Sequence, residues 1–210
     1  MPVIEPITDR TISEVIDVHM EAFKGYMNAA IGREYVRQFV SWFARREKGI
    51  ALAAVAEARV VGYVVGAPVG YERSMNRDLF WIMARSIARH PWLLLQKRFL
   101  KRAAQRVLQL VARDHVGGAD VPRLPEPVMS LVGIGVSASG RGAGIGHQMM
   151  DEFENRCRSA RMKAMRLSVY TNNTAARALY ERAGWTLYAP NARAKAVYYY
   201  RILEPADSHR

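Results

Sequence analysis

Six consecutive residues, Arg141-Gly142-Ala143-Gly144-Ile145-Gly146, have the composition of an anion cradle. They follow an apolar run, Val128 to Val136, with the character of a buried strand, and precede a helical pattern from His147 to Ala160. Glycines let backbone N–H groups come close to a phosphate, and the helix start adds partial positive charge there. Arg141 adds a full charge at the same place. The chemistry suits a phosphorylated ligand. A P-loop needs Gly-Lys-Ser/Thr at its end, but His147 and Gln148 follow Gly146. The dinucleotide pattern Gly-x-Gly-x-x-Gly fails in both frames, because its last position falls on His147 or on Ile145. The spacing that fits is Arg-x-x-Gly-x-Gly, through Arg141, Gly144 and Gly146.

A second group of residues lies downstream, between Asn173 and Trp185. Asn173, Ala176 and Tyr180 are spaced i, i+3, i+7, so they share one face of a helix that Asn173 can cap and Gly184 can stop. That face carries an amide, a small residue and a phenol. A phenol of pKa near 10 is protonated at neutral pH and can donate a proton. His19, His90, His115, His147 and His209 have no metal-ligand spacing, and Cys157 has no Cys or His neighbour, so no metal is expected. Cys157 reads as a small core residue.

The elements that must position these groups alternate along the chain. Val3 to Thr8 reads as a strand, with a helix from Asp9 or Thr11 to Phe23 and another from Arg33 to Glu47. Ile50 to Ala56 and Val60 to Val69 form a hairpin about Glu57-Ala58-Arg59. Strands follow at Val128–Val136 and Ala164–Tyr170, with helices at 142–160 and 173–183 beside them. Trp185 to Tyr188 and Ala196 to Leu203 read as closing strands. The expected class is α/β, a mixed sheet with helices on both faces.

With both motifs in place, the chain resembles the GNAT superfamily of N-acetyltransferases. The residues that carry the resemblance are Arg141-x-x-Gly144-x-Gly146 and Asn173-x-x-Ala176-x-x-Leu179-Tyr180-x-x-x-Gly184-Trp185. It implies a mostly antiparallel central sheet in one domain over 1–210. A basic helical insert, 71–127, would separate the third and fourth strands. The co-substrate implied is acetyl-CoA. Its pyrophosphate would rest on the amides of Gly142, Ala143, Gly144, Ile145 and Gly146, beside Arg141. Its pantetheine arm would lie along Ile134, Gly135 and Val136, with Asn173 and Ala176 also lining the cofactor. Tyr180 would be the general acid, and the acceptor a primary amine attacking directly.

The base is not assigned by the resemblance. Many members carry a glutamate on the central strand, whereas Ser130-Leu131-Val132-Gly133-Ile134 has none. Glu72, His115 and Ser130 are the candidate relays. An amine of pKa about 10.4 costs roughly 4.6 kcal/mol to deprotonate at pH 7, and one near 8 about 1.4 kcal/mol. A site without a strong base therefore suits a weakly basic amine, such as an α-amine or an amino sugar. Ala22-Phe23-Lys24-Gly25 with Ile31-Gly32-Arg33-Glu34-Tyr35-Val36 is faintly similar to GNAT members of glycan biosynthesis. That similarity favours an amino-sugar or nucleotide-linked amino-sugar acceptor.

The formal net charge is +12, and much of it falls between Arg73 and Arg113. Trp92 to Arg113 has the pattern of an amphipathic basic helix, suited to a solvated face, an anionic acceptor, an acidic partner or peripheral membrane contact. Aromatics are sparse among its charges, which counts against nucleic acid. The alternative to an enzyme is a GNAT-fold binding module that docks anionic lipid or nucleic acid through this helix. No apolar run approaches a membrane span, the N-terminus lacks a signal-peptide pattern, and one cysteine fits a reducing compartment. A cytoplasmic location is therefore expected, and a homodimer is left open.

Overall fold

The computed structural model describes residues 2–89, 123–188 and 195–203. Strands β1 (Val3–Pro6), β2 (Ile50–Ala56), β3 (Arg59–Pro68), β4 (Val128–Val136), β5 (Ala164–Tyr170), β6 (Thr186–Tyr188) and β7 (Ala196–Ile202) form one sheet. Its order is β1-β2-β3-β4-β5-β7-β6. Only β4 and β5 run parallel; every other neighbouring pair is antiparallel. The mixed, mostly antiparallel class read from the sequence is the one observed.

Helices cover both faces. On one side α1 (Ile12–Ala22), α2 (Met27–Ile31), α3 (Arg33–Ala44) and α4 (Tyr71–Arg89) enclose a core built on Val15, Ile16, Val36, Val40, Phe43, Tyr63 and Val65. On the other, α5 (Ile145–Ser159) and α6 (Thr174–Arg182) enclose Val64, Met129, Met149, Phe153, Met165, Leu167 and Tyr199. The period-2 alternation of β3 divides its side chains between the two cores, whereas β5 gives only Met165, Leu167 and Val169 to the second. α4 follows β3, and Asp78 anchors it to α3 by accepting from Trp42 Nε1 at 3.0 Å and pairing with Arg46.

Some boundaries differ from the sequence reading. β1 stops at Pro6, because the Thr8 amide turns to the Thr11 hydroxyl at 3.0 Å. α2 was not expected; five residues are too few to show a helical period. α5 begins at Ile145, after Gly144 in the left-handed region (φ 74°), and not at Gly142. The segment Trp92–Arg113, with His90 and His115, lies outside the described residues, as does His209. No helix among the described residues is long and apolar enough to cross a membrane.

Two irregularities of β4 shape the middle of the sheet. Its parallel ladder with β5 covers only Val128–Ser130 against Ala164–Arg166. Among the described residues, β4 pairs from Leu131 onward with β3 alone, so its edge facing β5 has N–H and C=O groups without partners among them. The sheet thus forks after Ser130 and Arg166. Val65 faces Gly133 while Gly66 faces Leu131, so Val132 is the extra residue of a β-bulge at the mouth of that fork.

Candidate functional site

The glycine loop sits where β4 hands over to α5. Ser137 ends the strand and caps the short turn Ala138–Gly140 by accepting from the Gly140 amide at 3.2 Å. Glu21 of α1 accepts from the Ala138 amide at 2.8 Å, tying the opposite helical layer to the start of the loop. Gly142 and Gly144 take φ 82° and 74°, conformations that glycine reaches without steric cost. The amides of Gly142, Ala143, Gly144, Ile145 and Gly146 meet no acceptor among the described residues. Arg141 is exposed beside them and makes no ion pair among the described residues. Five unused donors, a helix N-terminus and a free guanidinium are what a diphosphate requires.

Gly146 has a different reason. A Cβ there would lie 3.3 Å from Leu179 Cδ2, so its lack of a side chain lets α6 rest against the first turn of α5. That contact brings the helix of Tyr180 onto the loop. Tyr180 is buried in the second core, 5.5 Å from the Tyr199 ring and 6.1 Å from Trp185 between centroids. Burial, and secondarily the neighbouring Tyr26 and Tyr199, push its pKa above the usual phenol value, so it stays protonated.

Asn173 is the N-cap of α6, accepting from the Ala176 amide at 3.2 Å. Its side-chain amide lies 3.5 Å from the hydroxyl of Tyr26. Ala176 packs partly buried on the same core as Leu179. Ile134 and Val136 point into that core too, on the open stretch of β4. Gly135 points the other way. A Cβ on it would lie 2.9 Å from Tyr63 Cε1, 3.2 Å from Phe23 and 3.3 Å from Ala22, so close packing against α1 accounts for this glycine. At Gly133 a Cβ would meet nothing closer than 3.6 Å. Its place beside the bulge, rather than crowding, sets it apart.

Residues that the motifs did not mark also converge here. Tyr26, before α2, contacts Tyr170 at the end of β5, with ring centroids 5.7 Å apart, and borders both Asn173 and Tyr180. Beneath the bulge the Tyr63 hydroxyl shares a 2.6 Å hydrogen bond with His19 Nδ1. Burial lowers the His19 pKa to about 4, and its Nε2 has no partner among the described residues, so the imidazole is neutral. No local pattern signals either contact, since the partners are 147 and 44 residues apart. Of the candidate relays, Glu72 and Ser130 each neighbour Arg166 at the fork. Ser130 lies opposite Arg166, and Arg166 faces Glu72 at 3.8 Å. Cys157 is fully buried with its thiol pKa raised by burial, as befits a core residue.

The family model described as Acetyltransferase (GNAT) family matches residues 14–185. Solved structures share the fold at low identity. The ribosomal-protein-S18-alanine N-acetyltransferase of Escherichia coli is 10% identical with a TM-score of 0.58, covering 100% of this chain and 99% of that one. The ribosomal-protein-alanine N-acetyltransferase of Brucella melitensis is 15% identical with a TM-score of 0.59, covering 96% and 99%. The PaiA N-acetyltransferase of Thermoplasma acidophilum, in complex with coenzyme A, is 12% identical with a TM-score of 0.55, covering 97% and 99%. No curated protein sequence matches the chain. The forked sheet, the loop of unused amides and the family match over residues 14–185 lead to one assignment: this chain belongs to the GNAT acetyltransferase family.

Proposed function

We propose that this protein transfers the acetyl group of acetyl-CoA to a primary amine by direct attack. The observation that carries the reading is the row of five unused amides from Gly142 to Gly146, set directly against the helix of Tyr180. Those amides and Arg141 hold the pyrophosphate. The unused edge of β4 beyond Ser130 receives the pantetheine arm as an added strand would be received, along Ile134, Gly135 and Val136. Asn173, already spent on its cap, and Ala176 border the arm.

The reaction forms an amide N–C bond and breaks the thioester C–S bond. A main-chain N–H of the bulged segment opposes the charge that develops on the carbonyl oxygen, and helps the transition state more than the ground state. Tyr180 gives its proton to the departing sulphur and is restored by the proton the amine nitrogen loses. Glu72 and Ser130 stand at the fork to relay that proton through water. Without a carboxylate on β4, the site favours an amine that is already largely neutral near pH 8.

The test is thiol release from acetyl-CoA across a panel of amino sugars, nucleotide amino sugars, polyamines, amino acids and peptide N-termini. Turnover with any amine, abolished by leaving out acetyl-CoA, supports the reading. Binding of acetyl-CoA with no turnover on the whole panel would replace it with a binding module.

A further inference from the structure

The C-terminal half of the sheet has one face that neither core uses. On β5, Met165, Leu167 and Val169 enter the core under α5 and α6, so Arg166, Ser168 and Tyr170 point the opposite way. Register carries the same division across the sheet. Arg166 lies opposite Tyr200 and then Thr186, and Ser168 opposite Tyr198 and then Tyr188. None of these residues belongs to either hydrophobic core, and each is half-buried or exposed.

This face begins at the fork. Arg166 is in the last β4–β5 pair before the strands part, and Tyr26 closes the far end against Tyr170. It is therefore continuous with the gap from which an amine would approach the thioester. Apart from Ala196 and Ile202 at its two ends on β7, its chemistry is aromatic and hydroxylic with one charge. Four tyrosines, a serine and a threonine supply aromatic faces and hydroxyls, and Arg166 supplies the cation. The Arg166 guanidinium makes no hydrogen bond among the described residues. Its one ion-pair neighbour among those residues, Glu72, is 3.8 Å away and half exposed, a contact too long and too wet to satisfy it.

We infer that this face is the acceptor site, and that the acceptor is an amino sugar bearing a phosphate or carboxylate, its anion held by Arg166 and its ring laid on the tyrosines. The inference rests on the acetyl-transfer reading and names the substrate class of that same site. A sugar ring has an apolar C–H face to stack on aromatic rings and hydroxyls on its rim to engage Tyr, Ser and Thr. A guanidinium fork pairs with a carboxylate or phosphate through two parallel hydrogen bonds. A polyamine would be repelled by Arg166, and an aliphatic amine would leave the hydroxyl-rich surface unused.

Two measurements on the full chain test this. The first is calorimetric binding of glucosamine 6-phosphate without acetyl-CoA. The second is kcat/KM, at saturating acetyl-CoA, for glucosamine 6-phosphate, UDP-glucosamine, glucosamine and spermidine. Either anionic sugar should be preferred over glucosamine, and spermidine should be the poorest. Which of the two leads distinguishes a sugar monophosphate from a nucleotide sugar. Arg166→Ala should weaken the anionic sugar about tenfold or more, collapsing its advantage over glucosamine. Arg166→Lys should restore part of it, which separates loss of charge from loss of folding. Tyr198→Ala should raise KM for sugars of both kinds. Preference for spermidine, no binding of either anionic sugar, or an anionic-to-neutral ratio that Arg166→Ala leaves intact would overturn the inference. Sugar-phosphate binding that persists in a protein blind to acetyl-CoA would instead overturn the acetyl-transfer reading alone.

Discussion

Tyr180 is buried among aromatic rings, and that environment sets its proton chemistry. Its pKa is raised, so it remains a proton donor beyond the pH at which a free phenol ionises. Turnover should therefore show no alkaline loss attributable to this group up to about pH 10. Replacing the hydroxyl, Tyr180→Phe, should lower kcat by roughly 10²-fold or more while acetyl-CoA affinity stays nearly constant. Steady-state kinetics with a separate cofactor titration checks both parts; an unchanged kcat would remove Tyr180 from the mechanism. His19 shows the converse effect of burial. Its pKa is about 4 folded against 6.5 unfolded, so between those values the unfolded chain binds more protons. Stability should be full above pH 6.5 and fall by up to about 3 kcal/mol as pH drops towards 4. Urea unfolding across that range measures the slope, and His19→Phe should flatten it.

At the scale of elements, the loop and the two β4 glycines separate by mechanism. Gly144 holds φ 74° at the cap of α5, so Gly144→Ala forces a left-handed alanine at a cost of roughly 1 kcal/mol. Relaxation of that strain would turn amides away from the anion, and acetyl-CoA affinity should fall with little change in kcat. Arg141→Ala should act in the same direction without loss of melting temperature. Gly135→Ala pushes a methyl into the Tyr63 ring and α1, and should cost about 1–3 kcal/mol by overpacking. Gly133→Ala has room at 3.6 Å and should be tolerated by the fold. Thermal melts of the two variants compare the effects directly; equal destabilisation would mean that the bulge, not packing, governs both positions.

For the whole molecule, the sheet is a single frame with separate layers on its faces. The loop and Tyr180 belong with α5 and α6, whereas Tyr63 belongs to the opposite core, with His19 on α1 and Tyr26 at the start of α2. The fork in the sheet is where the two meet. A ligand seated there contacts both layers and should stabilise the whole domain. Acetyl-CoA at about one hundred times its dissociation constant should add about 2.7 kcal/mol, or roughly 5 to 10 °C in melting temperature. Differential scanning calorimetry gives the shift, and its absence would count against cofactor binding at this site.

Local physics made part of this legible without coordinates. The Asn173 cap, the glycine-permitted turn before α5 and the strand alternation depend on neighbours a few residues away, so the amino-acid order alone determined them. Tertiary structure decided the rest. Pairing between β4 and β5 ends after three residues, the bulge falls at Val132, and Gly135 is explained by a ring contributed from β3. Tyr26 reaches Asn173 across 147 residues, and Arg166 shares its face with Tyr200 only through strand register. Such contacts follow from how the layers close over one sheet, and no spacing within a single segment records that closure.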